Sequence, residues 1–451
     1  MIVSWFCKAR PCFCLLVAGL AAFLLIAPRE AAAIPAFARQ TGQPCATCHV
    51  GAFGPQLKQF GRDFKLNGYV LSNGDDQLPH LAFGVQGSLT HSQTPQSGGM
   101  PTGFGPTGPN NNFAVDQVEL FFGGRIAPEI GAFVQTTYNE VTNNVHWDDT
   151  DIRYAHGGAL VGTDYVAGIT VNNHPSLSDI WNSTPAWGFP YVAGQLAPGP
   201  ANLTHIDNML AQRVVGAGAY GMWNNWFYAE LDGYQPIALP TLNALGIVPI
   251  AGATTYEGVL PYWRFAAQHD FGPHYVQFGT FGFEGNANPG GDTTTGRTDQ
   301  FTDLGFDANY QWTGASPAHM ISAHAAYIDE HLNLGASSLL VGANPKDRLS
   351  TLRTDVSYSF KDTIIPSVQF FNSWGSNDPN FFGTPGGTPN TSGFISEIAF
   401  VPFGKADSLT FFYNMRFDIQ YVAFTKFGGV SSHASDNNSW YFNLWLIGAA
   451  W

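Results

Sequence analysis

Along most of the chain, hydrophobic and polar residues alternate with a period of two. The clearest stretch runs from Phe301 to Trp312. Leu304, Phe306, Ala308, Tyr310 and Trp312 share one face there, and Asp303, Gly305, Asp307, Asn309 and Gln311 share the other. Leu409 to Tyr421 repeats the pattern, with Phe417, Ile419 and Tyr421 set against Arg416, Asp418 and Gln420. A third case sets Leu352, Val356, Tyr358 and Phe360 against Arg353, Asp355, Ser357 and Ser359. A pleated strand points successive side chains to opposite faces, so each segment presents one apolar and one polar surface. The pattern predicts about sixteen strands, near 81–93, 115–126, 129–139, 150–158, 163–171, 212–222, 226–235, 258–270, 274–285, 301–313, 319–331, 350–361, 364–374, 394–402, 408–423 and 438–451.

The connections alternate in length. Ala127-Pro128, Trp223-Asn224-Asn225, Phe271-Gly272-Pro273 and Asp362-Thr363 are short, whereas 94–114, 172–211 and 375–393 are long and rich in Gly, Pro, Asn and Thr. Short turns at one end and long loops at the other characterise outer-membrane barrels. The expected fold is therefore all-β: an antiparallel transmembrane β-barrel of about sixteen strands over residues 81–451. A soluble secreted β-protein would leave the rhythm unexplained. An even strand count returns both barrel ends to the periplasmic side.

Composition sharpens this. Charged residues are 12% of the 451 and aromatics 14%. So aromatic a chain is not disordered. The formal net charge of -14 argues against nucleic acid, which selects a basic face. Past the first 30 residues no run of 18 apolar residues occurs, which excludes a helical membrane bundle. At the N-terminus Lys8 and Arg10 precede an apolar run from Cys12 to Ala27, followed by Ala31-Ala32-Ala33. This reads as a signal peptide over 1–33; the run is short for a membrane anchor. Losing Lys8, Arg10, Arg29 and Glu30 takes the charge to -16, and only Cys45 and Cys48 remain.

Those cysteines stand in Cys45-Ala46-Thr47-Cys48-His49, the C-x-x-C-H of c-type haem attachment. Each thiol adds to one haem vinyl group, and the adjoining imidazole ligates the iron. A disulfide would not need the His, and zinc would need a second ligand pair. Residues 34–80 are too few to hold a core alone, and one covalently bound haem would supply the missing apolar centre. Phe60 to Leu66 predicts a short helix ended by Asn67-Gly68. No Met lies between His49 and Met100, so the candidates for the sixth iron ligand are His80, His91 and Met100.

Pro35 to His49, Phe60 to Tyr69 (F-G-R-D-F-K-L-N-G-Y), Gln420 to Phe427 and Ala434 to Asn438 resemble the fused monohaem cytochrome–porin proteins of iron-oxidising bacteria. The resemblance spans the whole mature chain, with specific motifs at both ends and weaker likeness between. It implies a cytochrome c domain joined to an outer-membrane barrel of a Gram-negative bacterium. It also implies transfer of electrons from extracellular Fe(II) to a periplasmic carrier, such as a soluble cytochrome or a copper protein. Cys45, Cys48 and His49 match the family's haem motif position by position. Two departures stand out: Leu78 to Gly84 lacks the Met often found before the first strand, and the last residue is Trp451 where Phe is common.

The main alternative is a solute porin with an accessory haem domain, its selectivity set by inward charges such as Glu119, Arg125, Arg353, Asp355, Arg416 and Asp418. A peroxidase-like enzyme would need a distal His or Arg near the motif, and none is evident. His146-Trp147-Asp148-Asp149-Thr150-Asp151, expected in the third, external connection, offers hard oxygen ligands for Fe(II).

Overall fold

The computed structural model describes residues 35–74, 80–95, 110–187, 194, 196–247, 254–316, 318–405 and 413–449. The expected signal segment 1–33, Met100 and Trp451 lie outside the described residues. The strands are β1 (His80–Ser92), β2 (Asn111–Ala127), β3 (Ile130–Asn139), β4 (Asn144–Leu160), β5 (Thr163–Asn172), β6 (Val214–Trp223) and β7 (Phe227–Pro236). The eighth strand, β8, is interrupted, running as Thr255–Glu257 and Leu260–Phe271; both pieces pair with the next strand. There follow β9 (His274–Asn288), β10 (Asp299–Thr313), β11 (His319–Leu334), β12 (Lys346–Phe360), β13 (Ile364–Gly375), β14 (Thr391–Phe400), β15 (Tyr413–Lys426) and β16 (Ser439–Ala449).

Each strand pairs antiparallel with its neighbours in sequence, and β1 closes the sheet on β16 from Ala82↔Ala449 to Ser92↔Ser439. The result is a closed antiparallel barrel of sixteen strands. Short turns such as 128–129, 161–162 and 272–273 cluster at the end where β1 starts, and the long connections lie at the other. The expected strand positions hold within a few residues, with one consequential exception: β4 begins at Asn144, six residues before the expected start.

The faces divide as the alternation predicts. Leu231, Phe278, Phe306, Ile398 and Ile419 stand exposed on the outside, while Asp303, Asp307, Glu230, Arg264 and Arg416 are buried within. This inverts the arrangement of a soluble protein. A closed ladder with an apolar exterior is what hydrocarbon demands, because every backbone N–H and C=O must be paired internally. Among the described residues no helix is long and apolar enough to cross a membrane.

The N-terminal helical segment lies inside the barrel, in one compact unit with it. It comprises α1 (Pro35–Thr41), α2 (Cys45–Cys48), a 3-10 turn at Val50–Ala52 and α3 (Gln59–Leu66). Its polar groups find partners around the wall. The Gly51 N–H and Lys58 Nζ donate to Asp362 at 3.1 and 3.0 Å. Asn414 donates to the Ala52 carbonyl at 2.8 Å, the Arg125 N–H to Gln40 at 2.8 Å, and Arg62 to Gln311 at 3.0 Å.

A second element fills the lumen from the opposite end. After β5 the chain folds inward, burying Leu177, Ile180 and Trp181. Asp179 pairs with Arg264 at 3.3 Å, and Arg264 makes a forked pair with Asp307 at 3.0 and 2.9 Å. This loop meets the plug: Lys65 Nζ donates to the Leu177 carbonyl at 2.8 Å and to Asn182 at 2.7 Å. Asn182 in turn donates to the Pro55 carbonyl at 2.8 Å.

Candidate functional site

Three local features fix the C-x-x-C-H segment. One helical turn carries both cysteines, and the His49 N–H closes it by donating to the Cys45 carbonyl. An isolated bridge between His49 and Leu57 folds the following loop back, with the Lys58 N–H on the Cys48 carbonyl at 2.8 Å. The helix α3 then crosses the motif at Gly61, where an added Cβ would lie 2.6 Å from the Cys48 carbonyl oxygen. Only a residue without a side chain permits that approach.

Cys45, Cys48 and His49 line one cavity of about 1030 Å³. Its inner walls are apolar. Phe37 packs edge-on to Phe64 at 5.0 Å and stacks on Tyr69 at 5.5 Å, and Phe53 meets Trp445 at 5.0 Å. The two thiols are not joined in a disulfide. Desolvation pushes Cys45 up to about 11 and Cys48 up to about 12. It pushes the His49 imidazole down to about 4, opposed in part by the Gly54 backbone. His49 Nδ1 is enclosed without a hydrogen-bond partner. Two unpaired thiols and an adjoining neutral imidazole, facing a roomy pocket with aromatic walls, fit a covalently attached haem.

The outer part of the same cavity is polar, and its character comes from a β-bulge. Between Thr136↔Trp147 and Val134↔Thr150 the β3–β4 register slips, setting Asp148 and Asp149 together opposite Gln135. A bulge bends a strand and re-aims its side chains. Here both carboxylates and His146 line the cavity. The stretch from His146 to Asp151, expected in an external loop, is thus within the wall. Asp148 accepts from Thr137 at 2.6 Å and from Gln212 at 2.8 Å. Asp151 leaves the group: it accepts from Tyr69 at 2.6 Å and pairs with Arg153 at 2.7 Å. Among the described residues no three His, Cys, Asp or Glu side chains converge as a ready metal cage.

Of the expected sixth ligands, His91 does not face this cavity. His91 is exposed and its Nδ1 lies 2.8 Å from Asn111 Oδ1. It follows Leu89 on the outward face of β1, which turns it from the lumen. His80 is the first residue of β1, paired with Gly123; its side chain, like Met100, lies outside the described residues. A residue that sequence reasoning missed does line the cavity. His174, just past β5, is 3% exposed and holds Asp149 through Nδ1 at 3.0 Å. Nothing in the local Asn172-Asn173-His174-Pro175 marks it as more than a turn.

The inward charges are mostly paired. Arg416 binds Glu397 and Asp418, Arg353 binds Asp207, and Asp355 meets His324 at 3.1 Å. Glu119 accepts from Trp445 at 3.2 Å. A separate apolar groove of about 850 Å³, bordered by Trp223, Phe265 and Phe278, lies on the outer wall and carries none of this chemistry.

No family model matches the chain, and no curated protein matches it. Among solved structures it is similar to the outer-membrane channel DcaP of Acinetobacter baumannii, with 8% identity, a TM-score of 0.44, and 82% of this chain and 96% of that one covered. An anion-selective porin of Comamonas acidovorans gives 8%, 0.44, 82% and 98%. The in-vitro folded outer-membrane protein OmpT of Vibrio cholerae gives 9%, 0.40, 82% and 96%. The barrel is defined by its own strand registers.

Proposed function

We propose that the protein sits in the outer membrane of a Gram-negative bacterium and moves single electrons from an extracellular donor to a periplasmic carrier. Fe(II) is the donor that the family resemblance implies. The observation that carries this reading is the cavity in which Cys45, Cys48 and His49 face aromatic walls on one side and a carboxylate-lined vestibule on the other. Cys45 and Cys48 would hold the haem covalently and His49 would ligate its iron. When bound, the group supplies a one-electron couple. The chain's own residues set its surroundings. Phe37, Phe53, Phe64 and Trp445 exclude water and lower the local dielectric. Asp148 and Asp149 favour a hard cation such as Fe(II) over an anion.

A free solute path fits less well. A barrel of sixteen strands leaves an aqueous channel unless something fills it. Here the helical plug and the inward loop meet in the lumen, and Arg264 and Arg416 are each held between two carboxylates. The test is one purified sample examined twice. Reduction of a covalent haem by Fe(II), with low conductance in a planar bilayer, supports electron transfer. Haem that extracts freely into acidified solvent, with steady solute conductance, supports the porin alternative instead.

A further inference from the structure

We infer that His174 supplies the sixth ligand to the haem iron, through Nε2; this rests on the haem reading above. The surroundings of this side chain resemble those of a metal-ligating imidazole. Nδ1 is held 3.0 Å from Asp149 Oδ1, and Asp149 also accepts from Gln212 at 3.2 Å. The carboxylate therefore fixes the tautomer with the proton on Nδ1, leaving Nε2 as a lone-pair donor. Metal-bound imidazoles almost always carry such a carboxylate or carbonyl partner on the other nitrogen.

Nε2 itself is enclosed and has no hydrogen-bond partner. A buried polar atom left unpaired is costly, so its place asks for a partner that protein atoms do not provide. The side chain lines the same cavity as Cys45, Cys48 and His49. His146 shares the cavity but lacks this anchoring. Its side chain is 23% exposed and its Nε2 stands 3.9 Å from Asp148.

The placement of His174 is also fixed relative to the motif. Its N–H donates to Asn172 at 3.2 Å, and the Leu177 N–H donates to its carbonyl at 3.0 Å. Three residues on, the loop is fastened to the plug through Lys65 and the Leu177 carbonyl. The ligand set would thus span two elements: one imidazole from the plug, the other from the inward loop. Asp149 is a positioning residue in this scheme. Two imidazoles give a lower potential than His with Met, because thioether sulfur favours reduced iron.

The experiment uses the purified holoprotein and reads the haem spectrum. The parent should be six-coordinate and low-spin. His174→Gly should become high-spin, and free imidazole should restore the low-spin form. His174→Met should keep the protein folded and raise the reduction potential. His146→Ala and His91→Ala should leave the spectrum unchanged. A low-spin His174→Gly, or a five-coordinate parent, overturns the assignment while the haem reading stands. Should His174→Gly fail to accumulate, an unchanged potential in His174→Met overturns it equally. If the parent retains no covalent haem, the reading beneath the assignment fails first, and visibly so.

Discussion

Arg153 is where wall, plug and loop are tied together, and its removal is the most demanding test of a filled barrel. The side chain is fully buried on β4. Its Nε and Nη2 meet Asp151 at 2.8 and 2.7 Å. Nη1 donates to the Lys65 carbonyl of α3 at 3.1 Å, and Nη2 to the Ser178 carbonyl of the inward loop at 2.5 Å. Asp151 also accepts from Tyr69 at 2.6 Å and from Thr170 at 2.8 Å. Arg153→Ala leaves a carboxylate and two carbonyls without their cation. Breaking a buried pair from one side costs about 3–5 kcal/mol. That is a factor of about a hundred to a few thousand in the equilibrium between latched and unlatched states. The β-ladder itself is untouched, so the barrel should still fold, as its resistance to detergent unfolding would show. In a planar bilayer the parent should be nearly silent and Arg153→Ala should open frequently, with Arg153→Lys between them. An Arg153→Ala variant as silent as the parent refutes the latch.

Three further outcomes follow from the same geometry. Gly61→Leu places side-chain atoms where the Cys48 carbonyl stands, an overpacking of about 1–3 kcal/mol or more, so haem per chain should fall in a pyridine haemochrome assay. Cys48→Ala should abolish covalent haem retention after denaturation. The third concerns acid. Desolvation alone would raise the Asp179 carboxyl, but Arg264, Lys65 and the N–H groups of Trp181 and Ser183 together hold it below its ordinary 3.8. A carboxyl depressed in the folded state contributes stability that is complete above the ordinary value and is lost as pH falls through the folded one. Conductance should therefore stay low from neutrality down to pH 3.8 and rise only in stronger acid; opening between pH 5 and 7 would contradict this.

The wall was legible in the sequence because a pleat of period two leaves an unambiguous trace in Leu304 to Trp312 or Phe417 to Tyr421. The motif was legible because its chemistry is contiguous. What escaped was everything made by departures from periodicity. The Asp148–Asp149 bulge breaks the alternation, so the pattern becomes regular only from Thr150, and the preceding carboxylates read as a loop. His174 escaped for a different reason. Its meaning lies in Asp149 and in the distant Cys-x-x-Cys-His segment, which only the closed barrel brings to one cavity. Lys65 likewise reads as an ordinary solvated residue of a short helix, yet it is 3% exposed and rests 4.0 Å above the Trp187 ring.

The plug's attachments have a consequence for how the protein is made. Its partners come from both ends of the chain: Arg125 early, Asp362 and Asn414 late. The plug site is therefore complete only when the last strands have closed on β1. Burial of the seated segment raises both thiols above their ordinary value and so disfavours the thiolate, the reactive form. The haem proposed for these cysteines would therefore be attached before seating, while the segment is still open. On the proposed haem, manufacture would run in one order: attachment first, then closure of the barrel around a cargo already in place. A barrel closed first would, on that proposal, enclose Cys45 and Cys48 before they met the haem.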